Sequence, residues 1–90
     1  MTRDIHLTLI GKPGCHLCDD ARVVVQAVVA EVETTDAAPR MHLDERSILD
    51  DADLAARYAE EIPVLLIDGE VHDHWRVDPV RLKTALLAGV

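Results

Sequence analysis

Gly11-Lys12-Pro13-Gly14-Cys15-His16-Leu17-Cys18 is the stretch on which the reading of this chain turns. It holds both cysteines of the sequence, spaced C-x-x-C. An apolar run, Ile5-His6-Leu7-Thr8-Leu9-Ile10, precedes it, and a long amphipathic run follows. The first reads as a strand, mostly apolar as a strand buried on both faces would be, with His6 and Thr8 sharing one face. From Cys15 to about Glu33, Leu17, Ala21, Val24, Val25, Val28 and Val32 recur at helical spacing. Asp19, Arg22, Gln26 and Glu33 fall on the other side. The valines favour a strand by propensity. The length of the run, with no internal Gly or Pro, favours a helix. A strand that ends in a Gly/Pro turn and opens into a helix bearing C-x-x-C in its first turn is an arrangement suited to thiol–disulfide chemistry.

The helix start supplies the reason. Its free backbone N–H groups and its dipole stabilise negative charge, and the thiolate is the nucleophile in disulfide exchange. Cys15 is the expected nucleophile, with Lys12 adding positive charge. Cys18, one turn further in on the buried side, is the expected resolving residue. A protonated His16 would stabilise the thiolate further, whereas Asp19 and Asp20 would oppose it. The alternative for His16 is a solvated side chain, and for the two aspartates ordinary charge complementarity at a helix N-terminus.

Further along, Thr34 to Pro39 reads as a loop and Arg40 to Asp44 as a second strand. Asp50 is the expected N-cap of a helix running through Leu54, Ala55 and Tyr58 to about Glu60. Ile62 to Ile67 reads as an apolar strand. Pro63, which has no N–H to give, must start that strand or lie at an edge. Asp68-Gly69 signals a two-residue hairpin, with Glu70 to Trp75 returning antiparallel. Asp78 and Pro79 open a last helix with Leu82, Leu86 and Leu87 facing inward and Gly89 ending it. The order β-α-β-α-β-β-α implies an α/β fold: a mixed four-stranded sheet with helices on both faces.

The totals bound the function. Ninety residues suit one domain, 1–90. A net charge of −8 argues against nucleic acid or an anionic membrane surface as a partner. Two cysteines are too few for a disulfide scaffold, and neither a signal peptide nor a membrane-length apolar run is apparent. The expectation is a cytoplasmic protein, where a close cysteine pair serves catalysis or metal binding more often than structure.

Taken together, Lys12-Pro13-Gly14-Cys15 with Cys18, then Ile62-Pro63-Val64, then Ile67-Asp68-Gly69 resemble the glutaredoxins of the thioredoxin superfamily, in particular small bacterial glutaredoxin-like proteins. The resemblance spans nearly the whole chain. It implies a thioredoxin-like fold and a redox-active disulfide between Cys15 and Cys18. It also implies a cis Ile62–Pro63 bond, and a substrate site formed by Lys12, His16, Ile62 and Pro63. The implied activity is reduction of disulfides in proteins or small thiols, by a monomer that needs no cofactor or metal. Electrons would come from a low-molecular-weight thiol or a flavin-dependent reductase. The chain departs from the pattern in three places. His16-Leu17 replaces Pro-Tyr between the cysteines. His72 to Asp78 stands where glutaredoxins carry the glycine pair that helps hold glutathione. Leu9 and Ile10 stand where thioredoxins carry a buried aspartate that assists the resolving cysteine.

Two other readings compete. Cys15, His16 and Cys18 with His72 and His74 could bind a metal, the simpler view of the two later histidines being a solvated strand face. Alternatively, the fold could be a binding module with inert cysteines. Trp75 is expected at the rim of the core, with an exposed recognition role as the alternative. Covalent haem attachment is excluded, because Asp19 and not His follows Cys18.

Overall fold

The computed structural model describes residues 3–88. Its elements are β1 (Asp4–Gly11), α1 (His16–Glu33), β2 (Arg40–Ser47), α2 (Ala52–Tyr58), β3 (Val64–Ile67), β4 (Glu70–His74) and α3 (Pro79–Leu87). The expected order therefore holds, including α1 where valine propensity pulled the other way. Burying Ala21, Val25, Val28 and Val32 along one side of a helix outweighs the modest local preference of valine for strands.

The four strands form one sheet in the order β2-β1-β3-β4. β1 runs parallel to β2 and antiparallel to β3, and β3 pairs antiparallel with β4. β2 extends three residues beyond the expected Asp44, as far as Ser47. The charged segment Glu45-Arg46 carries no strand signal of its own, but β1 offers it a ladder up to the pair Gly11–Ser47. Backbone hydrogen bonding to a long central strand overrides local composition here. β3 is shorter than expected, beginning at Val64 after Pro63, which cannot donate to the ladder.

Alternation along β1 and β3 sends Ile5, Leu7, Leu9, Leu65 and Ile67 to one face. There they meet Ala21, Val25, Val28 and Val32 of α1, Leu82 and Leu86 of α3, and Val77. This is the main core, and none of its buried residues comes from α2. On α2, Leu54, Ala55 and Tyr58 are half-buried. On the opposite face Ile10 and Val64, neighbours in register, are fully buried. His6 and His42 lie stacked on that face with ring centroids 4.8 Å apart, and both are exposed. The sheet is thus covered completely on one side only.

Several local expectations need correction. The N-cap of α2 is Asp51, not Asp50: its carboxylate accepts from the N–H groups of Asp53 and Leu54. Asp50 instead closes a turn, donating its N–H to the Ser47 carbonyl. α2 ends at Tyr58, short of Glu60. Leu17 and Leu87 are exposed, at the margins of their apolar stripes. Asp78 caps α3 as expected, accepting from Val80 and Arg81 N–H, with Pro79 following. The expected end of α3 at Gly89 lies outside the described residues. Asp68 and Gly69 make the hairpin turn, both with positive φ (50° and 86°), as a two-residue turn of this twist requires. Asp68 also ties the turn to β1, exchanging bonds with both the N–H and the C=O of His6.

Candidate active site

β1 carries the chain to Gly11, and the Lys12-Pro13-Gly14 turn delivers Cys15 to the N-cap of α1. Cys15 has extended backbone there (φ −99°, ψ 111°), and its Sγ accepts the Cys18 N–H at 3.2 Å. The sulfur thus takes the place that a serine or aspartate oxygen fills in an ordinary cap. Cys15 and Cys18 are joined as a disulfide, with Cα atoms 5.2 Å apart. The two halves differ in access: Cys15 is half-buried, whereas Cys18 is only 2% exposed. Gly11 passes directly beneath the bond, and a Cβ there would stand 2.9 Å from Cys18 Sγ. A glycine at the end of β1 is therefore needed for close approach.

The other expected site residues fall around this pair. Lys12 is exposed and lines a cleft that reaches Cys18. His16 is the exposed first residue of α1. The Ile62–Pro63 bond is cis, Pro63 is buried and Ile62 half-buried. Because Ile10 pairs with Val64, Pro63 falls beside the end of β1 from which the cysteine turn departs.

The segment after the hairpin differs from expectation at His72. Trp75 is 53% exposed, beside Ala21 and Val77 at the edge of the core. It occupies the left-handed region at φ 62°, uncommon for a bulky side chain. Two bonds hold it: its N–H to the Pro63 carbonyl at 2.8 Å, and its indole Nε1–H to the Glu60 carbonyl at 3.2 Å. With Leu17, Val24 and Val77 it lines a small cleft of about 200 Å³ beside α1. His74 packs edge-on against Trp75 and is exposed. His72, expected on a solvated face, is half-buried, sits at a β-bulge, and has its Nε2 sealed with no hydrogen-bond partner. Burial pushes its pKa down, and the nearby Arg81 charge adds to this. Among the described residues no three His, Cys, Asp or Glu side chains group so as to hold a metal ion. His72 and His74 therefore do not complete a ligand set with the cysteines.

A larger cleft, about 380 Å³, opens on the other side of Cys18. Leu9, Gly11, Lys12 and Cys18 form one wall, and Asp19, Arg22, Glu45 and Ser47 contribute to the rest. Arg22 bridges it, donating from Nη1 to Asp19 at 2.9 Å and from Nε to Glu45 at 2.5 Å. The bond to Glu45 is the main influence raising the Arg22 pKa, followed by that to Asp19. Glu45 was not legible as a site residue in the linear sequence, because it lies beyond the expected end of β2. Two spacings point to it once β2 is extended. Glu45 alternates with Met41 and Leu43, and Arg22 follows Cys18 by four residues, on the same side of α1.

The Glutaredoxin-like domain family (DUF836) matches residues 6–87. This chain belongs to that family. An uncharacterized protein of Mycobacterium tuberculosis (strain ATCC 25618 / H37Rv) is 29% identical over 75 residues, covering 83% of this chain and 75% of the relative. An uncharacterized protein of Mycobacterium bovis matches to the same extent. Among solved structures, protein XcR50 from X. campestris is 30% identical with a TM-score of 0.63, covering 91% of this chain and 96% of that one. Protein Ne2328 from Nitrosomonas europaea superposes with a TM-score of 0.75 at 19% identity, over 96% and 95% of the two chains. A mutant thioredoxin from Halobacterium salinarum gives 0.61 at 23% identity, over 96% of this chain and 74% of its own. The fold of this glutaredoxin-like domain is accordingly thioredoxin-like. Among its described residues no helix is long and apolar enough to cross a membrane.

Proposed function

We propose that this glutaredoxin-like domain is a dithiol–disulfide oxidoreductase of the cytoplasm. The observation that carries the reading is the position of Cys15. It is the more accessible half of a C-x-x-C disulfide, and its sulfur caps a helix by accepting a backbone N–H. In the reduced protein, the same N–H and the helix dipole favour a thiolate at that sulfur. Cys15 then attacks a substrate disulfide, forming a mixed disulfide and expelling one substrate thiolate. Cys18 attacks Cys15 Sγ, re-forming the internal disulfide and releasing the second substrate thiolate. The substrate gains two electrons and the protein dithiol loses them. A low-molecular-weight thiol or a flavin-dependent reductase returns them.

The residues assigned to the substrate site beside Cys15 are Lys12 and His16, both exposed, the half-buried Ile62 and the buried Pro63. The substrates are protein disulfides or small-thiol disulfides. The test is equilibration in redox buffers, with free thiols trapped and counted by intact mass. The expected result is one cooperative two-electron transition between about −280 and −120 mV, the range of known dithiol oxidoreductases. Two thiols that never form the internal disulfide across that range would refute the reading in favour of an inert binding module.

A further inference from the structure

Resolution of the mixed disulfide requires Cys18 to lose its proton, and this requirement picks out a residue outside the C-x-x-C segment. Cys18 is 2% exposed, and its backbone N–H is bonded to Cys15 Sγ. The strand beneath it offers only the apolar Leu9 and the bare backbone of Gly11. The register of the sheet supplies a carboxylate from the neighbouring strand. Leu9 pairs with Glu45, and Gly11 with Ser47, so Glu45 shares the face that carries Leu9 and Gly11 towards α1. On α1, Arg22 is one turn beyond Cys18, on the same side of the helix. Its hydrogen bond to Glu45 fixes that carboxylate across the cleft in which Cys18 forms part of the wall. At about 380 Å³ the cleft admits several waters, each taking roughly 30 Å³ of liquid volume.

We propose that Glu45, held by Arg22, is the proton acceptor for Cys18 in the resolving step, through water in this cleft. The assignment rests on the dithiol-exchange reading above. The Cys18 S–H proton passes to the Glu45 carboxylate. The Cys18 sulfur then forms a bond to Cys15 Sγ, and the bond between Cys15 Sγ and the substrate sulfur breaks. The electron pair leaves with the substrate sulfur as a thiolate, which takes up the proton given back by Glu45 through solvent. Asp19 and Glu45 both pair with Arg22, so the cleft holds two carboxylates and one guanidinium. Glu45 is assigned this role because its register places it under the α1 face where Cys18 sits. Asp19 lines the same cleft from the helix itself, and its side chain is 59% exposed against 45% for Glu45.

The experiment is a single turnover of the reduced protein with the chromogenic disulfide 5,5′-dithiobis(2-nitrobenzoate). Attack by Cys15 releases one coloured thiolate, and attack by Cys18 releases the second. In Glu45→Gln the first phase keeps its rate, while the second slows about 10- to 100-fold near neutral pH, a loss typical of a missing general base. The pH inflection of the second phase disappears with it. Glu45→Asp, which keeps a carboxylate, recovers much of the rate, as a merely structural contact would not. A second phase of unchanged rate and pH profile in Glu45→Gln overturns the assignment alone. Absence of the second release in the unaltered protein overturns both the exchange reading and the assignment.

Discussion

Gly11→Ala is the substitution for which the structure gives the sharpest expectation. In most strands the change from glycine to alanine is favourable, because it removes freedom from the unfolded chain, worth about 0.4–1 kcal/mol. At Gly11 the added Cβ would stand 2.9 Å from Cys18 Sγ and 3.1 Å from Cys18 Cβ. Both distances are well inside the roughly 3.5–4.0 Å of comfortable non-bonded contact. Cys18 is buried and covalently tied to Cys15, so it has no free rotamer into which to retreat. Overpacking of this kind costs about 1–3 kcal/mol. Set against the backbone gain, the net expectation is a loss of about 1–2 kcal/mol, or roughly 5–15 °C in melting temperature for a chain of this size. Urea melts of the oxidised protein measure it. The same substitution in a Cys18→Ala background removes the sulfur contact, and the penalty should at least halve, a coupling that a double-mutant cycle isolates. A Gly11→Ala protein as stable as the original would show that the sulfur does not press on this glycine, and would remove the packing account of the site.

Two further expectations concern the scaffold. His72 has its pKa lowered by burial and by Arg81, so below about pH 6.5 the unfolded chain takes up a proton that the folded chain resists. Its contribution is therefore intact above pH 6.5 and is lost as the pH falls through the lower folded-state value. Urea midpoints between pH 7.5 and 5 should fall less steeply in His72→Gln than in the unaltered protein, and equal slopes would refute the assignment. Asp51→Ala should cost about 1 kcal/mol by uncapping α2, whereas Asp50→Ala should stay within about 0.5 kcal/mol. Chemical melts of the two variants test which aspartate is the cap.

The alternation of β1, the helical recurrence of Ala21, Val25, Val28 and Val32, the Asp68-Gly69 turn and the Asp78-Pro79 start are local patterns. Each constrains the backbone through neighbours within a few residues, so each could be read along the chain, and together they determined the element order. The same holds for Cys15 and Cys18, whose spacing around a helix start is itself local. What tertiary structure alone decided involves residues distant in sequence. The length of β2 was set by its pairing with β1, which drew Glu45 and Arg46 into a strand that their own composition does not favour. That pairing put Glu45 across from Leu9 and within reach of Arg22, more than twenty residues away in the chain. The exposure of Trp75, held by Glu60 and Pro63, and the sealing of His72 Nε2 likewise depend on how separate segments pack. A linear sequence records the propensities of neighbours. Register and packing arise only when the sheet assembles, and they brought Glu45 and Arg22 into the cleft that Cys18 lines.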